Sequence, residues 1–178
     1  MRLFIGLTIP DPICTQIGSL RGSLPSIHWN DPDTYHISLC DIGEINSNVL
    51  LNDLDLALEK IGFNNFELSI QGVSHYTSPT QEIKLCATVL PTSSLSLLKN
   101  KIEYINRKLG IKTKKKHFTP HITLAKGIGI NQEQISNWLF KYNLFKTEPF
   151  QICQFSLFSS FPNKKEFNCD IVSTYLLR

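Results

Sequence analysis

The sequence predicts an α+β protein built as two lobes around a central cleft, and three observations predict it. Strand-like alternation and helix-like periodicity take turns along the chain. The segment HISLCDIGEIN, starting at His36, aligns without a gap on HITLAKGIGIN, starting 85 residues later (121 − 36) at His121. Both copies carry a histidine and a hydroxyl residue two positions apart in an otherwise apolar strand.

The elements follow in order. Leu3, Ile5, Leu7 and Ile9 alternate as a strand, and Asp11 and Pro12 suit the N-cap and first helical position of a helix carrying Ile13, Ile17, Leu20 and Leu24. After the loop NDPD, YHISLCDIG reads as a strand. A helix from about Ser47 to Ile61 then presents Leu50, Leu54 and Leu58, with Gly62 as its stop, and Phe66 to Val73 reads as a third strand. The same order returns with a strand over Ile83 to Leu90, a helix with Leu95, Leu98, Ile102, Ile105 and Leu109 closed by Gly110, and the HITLA strand. A helix around Ile135, Leu139 and Tyr142 and a strand from Phe150 to Phe158 complete the set. Two such units related by a pseudo-twofold axis put the HIS and HIT strands on opposite walls of one cleft. We expect a single bilobal unit over residues 1–178, with sequence repeats at roughly 1–80 and 81–178.

Composition narrows the function classes. With 178 residues, 42% hydrophobic and 19% charged, the chain is of ordinary globular make-up. The net charge of +3 is too small to argue for nucleic acid by itself, but Lys108, Lys112, Lys114, Lys115, Lys116 and Lys126 crowd around the second histidine segment. The five cysteines are odd in number, widely spaced and never in C-x-x-C pairs, which argues against a disulfide framework or zinc site and fits a reducing, cytoplasmic setting. The opening apolar run closes at Pro10 and Asp11 and reads as a first strand rather than a signal segment. No run approaches membrane length.

In a strand, residues i and i+2 share a face, so His36 goes with Ser38 and His121 with Thr123, while Ile37, Leu39, Ile122 and Leu124 point to the core. A lone H-x-[ST] is weak evidence. Two at matched positions of a repeat suit displacement at phosphorus, which needs a base on the attacking side, an acid on the leaving side and donors for the non-bridging oxygens. Imidazoles hold both protonation states near neutrality. This chemistry requires no metal and no other cofactor.

These paired H-x-[ST]-L signatures, the second inside FTPHITLAK, resemble those of the two-histidine (2H) phosphoesterase superfamily, and within it the RNA 2′,3′-cyclic phosphodiesterases, or 2′-5′ RNA ligase-like family. The resemblance runs from RLFIGLTIP through IHWNDPDTYHISL to the strand ending in LFSS. It implies antiparallel sheets flanked by helices. It also implies hydrolysis of RNA or nucleotide 2′,3′-cyclic phosphates to 2′-phosphomonoesters by a monomer with no membrane partner. By that resemblance His36 is the general acid at the leaving 3′ oxygen, His121 the general base that activates water, and Ser38, Thr123 and Lys126 bind phosphate. Lys126 stands where relatives usually have arginine, and Asp41 where they commonly place an aromatic ring. A lysine keeps the charge but not the bidentate fork.

Other readings compete. Phosphodiesterase action on 2′-5′-linked or other cyclic nucleotides uses the same pair, and repeated small α+β units also serve as non-catalytic RNA-binding modules. The chain has no aromatic-rich signature of such a module, which would have no use for matched histidines. Lys114, Lys115 and Lys116 are candidates for steering RNA, against the plainer reading of a solvated patch. His117 and His121 have a tempting metal spacing, but Pro120 blocks a helix there and an extended chain holds them roughly 13 Å apart, so no metal site is expected. His28 and His75 read as structural or surface residues. Trp29, Tyr35, Tyr76 and Phe118 read as core or rim aromatics, any one of which is a candidate to replace the ring missing at Asp41.

Overall fold

A computed structural model of the protein describes residues 2–113, 117–162 and 167–178. The first half contains β1 (Arg2–Thr8), α1 (Asp11–Gly18), β2 (Ile27–Trp29), β3 (His36–Glu44), α2 (Asn48–Glu59), β4 (Phe66–Leu68) and β5 (Ile70–Thr77). The second contains β6 (Glu82–Val89), α3 (Ser93–Lys108), β7 (His121–Ile128), α4 (Gln132–Tyr142), β8 (Phe150–Ile152), β9 (Gln154–Pro162) and β10 (Phe167–Leu176). The expected helices and strands are all present. What the periodicity did not reveal is that the last strand of each half breaks in two, and that β2 and β10 exist.

The helix ends have local causes. The hydroxyls of Ser47 and Thr92 accept from the backbone N–H groups of Leu50 and Leu95 and so cap α2 and α3, and the Asn131 side chain accepts from Glu133 N–H at α4. Gly110, at φ +73°, stops α3 in the left-handed conformation that glycine takes without penalty. Helix α1 is shorter than its apolar spacing suggests. Its N-cap is Pro10, which supplies no side-chain acceptor, and the helix ends at Gly18, leaving Leu20 to fill the core from the following turn.

Seven strands form one path, β10-β9-β1-β3-β7-β6-β5, in which every neighbouring pair is antiparallel, while β2 adds to β7 and β4 pairs with β8 in a separate small sheet. The last strands of the two halves are exchanged: β5 pairs with β6 and β9 pairs with β1. The lobes are therefore not the sequence halves. Two pairings join equivalent residues to each other. Ile37 pairs with Ile122 between β3 and β7, and Glu67 pairs with Gln151 between β4 (FEL) and β8 (FQI), strands that align at an offset one residue shorter (151 − 67 = 84); there the Gln151 amide donates to the Glu67 carboxylate at 2.9 Å. Self-pairing of equivalents is what a pseudo-twofold axis requires.

One core runs through both lobes, joining Leu3, Ile5, Leu7, Ile37 and Leu39 to Ile83, Leu85, Ile122 and Leu124, with Leu54 and Leu58 of α2, Leu98 and Ile102 of α3 and Ile135 of α4 covering it. Fully burying each such aliphatic side chain contributes about 1.5–3 kcal/mol. Burial on this face leaves the other face of the sheet to present His36, Ser38, His121 and Thr123. Among the described residues no helix is long and apolar enough to cross a membrane.

Candidate active site

The ladder between β3 and β7 is the single pair Ile37–Ile122, and both side chains are fully buried. Alternation then sends their neighbours to the opposite face. Continued from that pair, the antiparallel register sets His36 against Thr123 and Ser38 against His121, so the two histidines are diagonal neighbours and the two hydroxyls occupy the other diagonal. Beyond Ile122, β7 leaves β3 and pairs with β2, and Asn30 fills the fork by donating its backbone N–H to Leu124 O at 2.8 Å and its side-chain amide to Thr123 O at 3.0 Å.

Both imidazoles are held in the same way. Nδ1 of His36 lies 2.8 Å from Thr34 O, and Nδ1 of His121 lies 2.8 Å from Thr119 O. A carbonyl can only accept, so each Nδ1 carries the hydrogen, which fixes the same tautomer and ring orientation in both. The rings also lean on aromatic neighbours. His36 lies 5.0 Å from Phe4 and 5.6 Å from Phe158 between ring centroids, and His121 lies 4.9 Å from Tyr76. Phe158 on β9 and Tyr76 on β5 come from equivalent strands, which is how the exchanged strands complete each half-site. Gly6 makes the His36 wall possible, because a Cβ there would meet Ile37 O at 2.7 Å and the Phe158 ring at 3.3 Å.

A β-bulge in each lobe brings a third residue of its strand to the site. The register steps from Ile5–Cys40 to Gly6–Ser38 in one lobe and from Leu85–Ala125 to Cys86–Thr123 in the other, leaving Leu39 and Leu124 as the extra residues. Without that step, residues five apart would face opposite ways. With it, Asp41 joins His36 and Ser38, and Lys126 joins His121 and Thr123. The expected phosphate-binding residues Ser38, Thr123 and Lys126 thus share the histidines' face. Asp41 accepts from two guanidinium nitrogens of Arg2, Nε at 3.2 Å and Nη2, so its charge is offset rather than presented bare.

Burial pushes His36 below the ordinary imidazole range; the hydrogen bond to Thr34 O opposes this, and the positive fields of Lys126 and His121 add to the lowering. Lys126 is lowered as well, by burial first and by Lys84 second, with Glu82 opposing. Cys86, opposite Thr123 in the register, is pushed up to about 12 by burial and stays a thiol.

Several residues that matter here had no signal of their own in the sequence. Phe4, Phe158, Lys84 and Cys86 reach the site through cross-strand register, and only projecting the repeat onto all the strands would have found them. Of the aromatics considered from sequence, Tyr76 stands at His121, whereas Trp29, Tyr35 and Phe118 pack into or against the core. His117 and His75 are exposed. Lys114, Lys115 and Lys116 lie outside the described residues. Among the described residues, no three His, Cys, Asp or Glu side chains cluster as metal ligands do.

The chain is similar to known proteins in part of its sequence and in its fold. Residues 89–166, which include His121 and Thr123, match the family model described as LigT like Phosphoesterase. The chain is 25% identical over 129 residues to an RNA 2′,3′-cyclic phosphodiesterase of Archaeoglobus fulgidus, an alignment covering 71% of this chain and 72% of that protein. Its fold is similar to that of Escherichia coli LigT complexed with 3′-AMP, with a TM-score of 0.76, 18% identity and coverage of 99% and 97% of the two chains. A Thermus thermophilus protein of the same fold gives a TM-score of 0.78 at 18% identity, covering 100% and 98%.

Proposed function

We propose that the chain is a LigT-like phosphoesterase of the two-histidine superfamily and that it hydrolyses RNA 2′,3′-cyclic phosphate ends to 2′-phosphomonoesters, with His36 and His121 as its acid–base pair and no metal in the reaction. The observation that carries this reading is the matched anchoring of the two imidazoles, each with Nδ1–H bound to a carbonyl two residues earlier, on diagonal positions beside the Ile37–Ile122 pair.

Water attacks the phosphorus as His121 Nε2 takes its proton. The bond from phosphorus to the 3′ oxygen breaks, and protonated His36 delivers its Nε2 proton to that oxygen, leaving the phosphate on the 2′ position. One proton is taken and one is given, so the histidines finish in exchanged states. Ser38 and Thr123 donate hydrogen bonds to the non-bridging oxygens, and Lys126 offsets their charge. Asn30 donates its side-chain amide to Thr123 O, which fixes the backbone that carries one of these donors before substrate arrives.

The lowered basicity of His36 belongs to the site before substrate binds. A phosphodiester brings a negative charge beside the imidazole and favours its protonated form, so the acid is charged most readily when there is something to protonate. The test is turnover of a 2′,3′-cyclic nucleotide with and without EDTA. Equal turnover is expected, and loss of activity on chelation contradicts the reading.

A further inference from the structure

The wall that holds His121 carries a row of basic side chains running across its strands. Lys84 on β6 lies directly opposite Lys126 on β7, and His28 on β2 lies opposite Lys126 on the other side. Directly opposed residues of an antiparallel pair share a face, and the neighbours of His28 confirm its direction: Ile27 and Trp29 pack against the core while His28 is exposed. The row therefore reads Tyr76, Lys84, Lys126, His28. The equivalent row of the other wall is Phe158, Phe4 and Asp41, with Asp41 tied to Arg2. One wall is apolar and charge-balanced, the other cationic.

Like charges set directly opposite across two strands are destabilising. Here they sit on half-buried residues, and the acidic side chain acting on Lys126 from the same wall is Glu82. A local arrangement that works against folding, placed beside reacting groups, marks a binding function. The row also has the right offset. Because Leu124 is the extra bulge residue, Lys126 stands about two ordinary strand steps from Thr123, or roughly 6.6 Å, and Lys84 and His28 extend sideways from it by about one strand spacing each. A ligand gripped at phosphorus between His36 and His121 meets this row with its next charged group.

We infer that Lys84 and His28, on either side of Lys126, form a second anion subsite that takes the phosphodiester immediately 5′ of the reacting nucleotide. The inference rests on the hydrolytic reading above and adds a substrate class to it: oligoribonucleotide ends, in preference to nucleoside 2′,3′-cyclic phosphates. An internucleotide phosphodiester and a free 5′-phosphate share this chemistry, and the experiment separates them.

The experiment compares three substrates ending in a 2′,3′-cyclic phosphate: a dinucleotide with a normal linkage, the same dinucleotide with an uncharged methylphosphonate linkage, and a mononucleotide bearing a 5′-phosphate. We expect kcat/KM for the normal dinucleotide to exceed that of its methylphosphonate analogue by about tenfold in low salt, roughly one charge contact's worth. Lys84→Ala and His28→Ala should each bring that ratio toward one. A 5′-phosphate mononucleotide that matches the normal dinucleotide, with an equal loss in both variants, overturns the commitment to an internucleotide linkage. Wild-type protein that treats the two dinucleotides alike, or variants that lose activity without changing the ratio, overturns the subsite. Calorimetric binding of the corresponding 2′-phosphorylated dinucleotides provides the same ratio without turnover. If hydrolysis fails but the bound ratio holds, the reaction assignment is wrong and the subsite stands.

Discussion

Ile37 and Ile122, equivalent residues of the two halves, pair with each other at the point where the sheet passes from one lobe to the next. Each is flanked on its own strand by the site histidine and a hydroxyl residue, so this buried pair sets the relative position of the groups proposed to react. Ile37→Ala removes a fully buried side chain from a packed junction and is expected to cost about 2–5 kcal/mol. Urea denaturation measures this. The variant should also lose turnover under conditions where it remains folded, because a shift here moves His36 relative to His121.

The lowered basicity of His36 has two consequences for pH dependence. If His36 is the acid, the alkaline limb of kcat/KM reports the free enzyme and should fall below the ordinary histidine value of about 6.5, while the limb of kcat, reporting the substrate complex, should lie at higher pH. Identical limbs in the two profiles contradict the assignment. Stability follows the same shift. A histidine less basic in the folded state contributes stability that is present above its unfolded value and is lost as pH falls through its folded value. Urea midpoints of the wild type should therefore drop below about pH 6.5 by more than those of His36→Gln.

How far the site was legible depended on what kind of information placed each residue. His36, Ser38, His121 and Thr123 were visible because their strands alternate cleanly against Ile37, Leu39, Ile122 and Leu124, and because the repeat displays the pattern twice. Lys126 was suggested by resemblance, but parity alone points it away from His121, and the bulge at Leu124 reverses that parity. Phe4, Phe158, Lys84 and His28 depend on which strand lies beside which, a property of topology that alternation does not encode. Strand β10 escaped notice because its own register shifts between Ile171 and Ser173, so its pattern never holds one phase for long. Strand β2 is three residues long, too short for any period.

The lysine run before His121 invites a separate measurement. If Lys114, Lys115 and Lys116 guide polyanions, neutralising all three should raise KM for a long cyclic-phosphate oligonucleotide and flatten its salt dependence, with little effect on a cyclic mononucleotide. Steady-state kinetics at low and high salt decide this. An unchanged ratio between the two substrates identifies the run as a solvated surface.

The central claim is that two equivalent histidines perform the two proton transfers of one phosphodiester hydrolysis, and end analysis of a cyclic-phosphate oligoribonucleotide tests it most directly. Wild-type protein should convert the 2′,3′-cyclic end to a 2′-phosphate in the presence of EDTA, and His36→Ala and His121→Ala should each reduce the rate by roughly 10² or more while remaining folded. An end left cyclic by the wild type, a 3′-phosphate product, or a variant of either histidine that retains the wild-type rate would contradict the account.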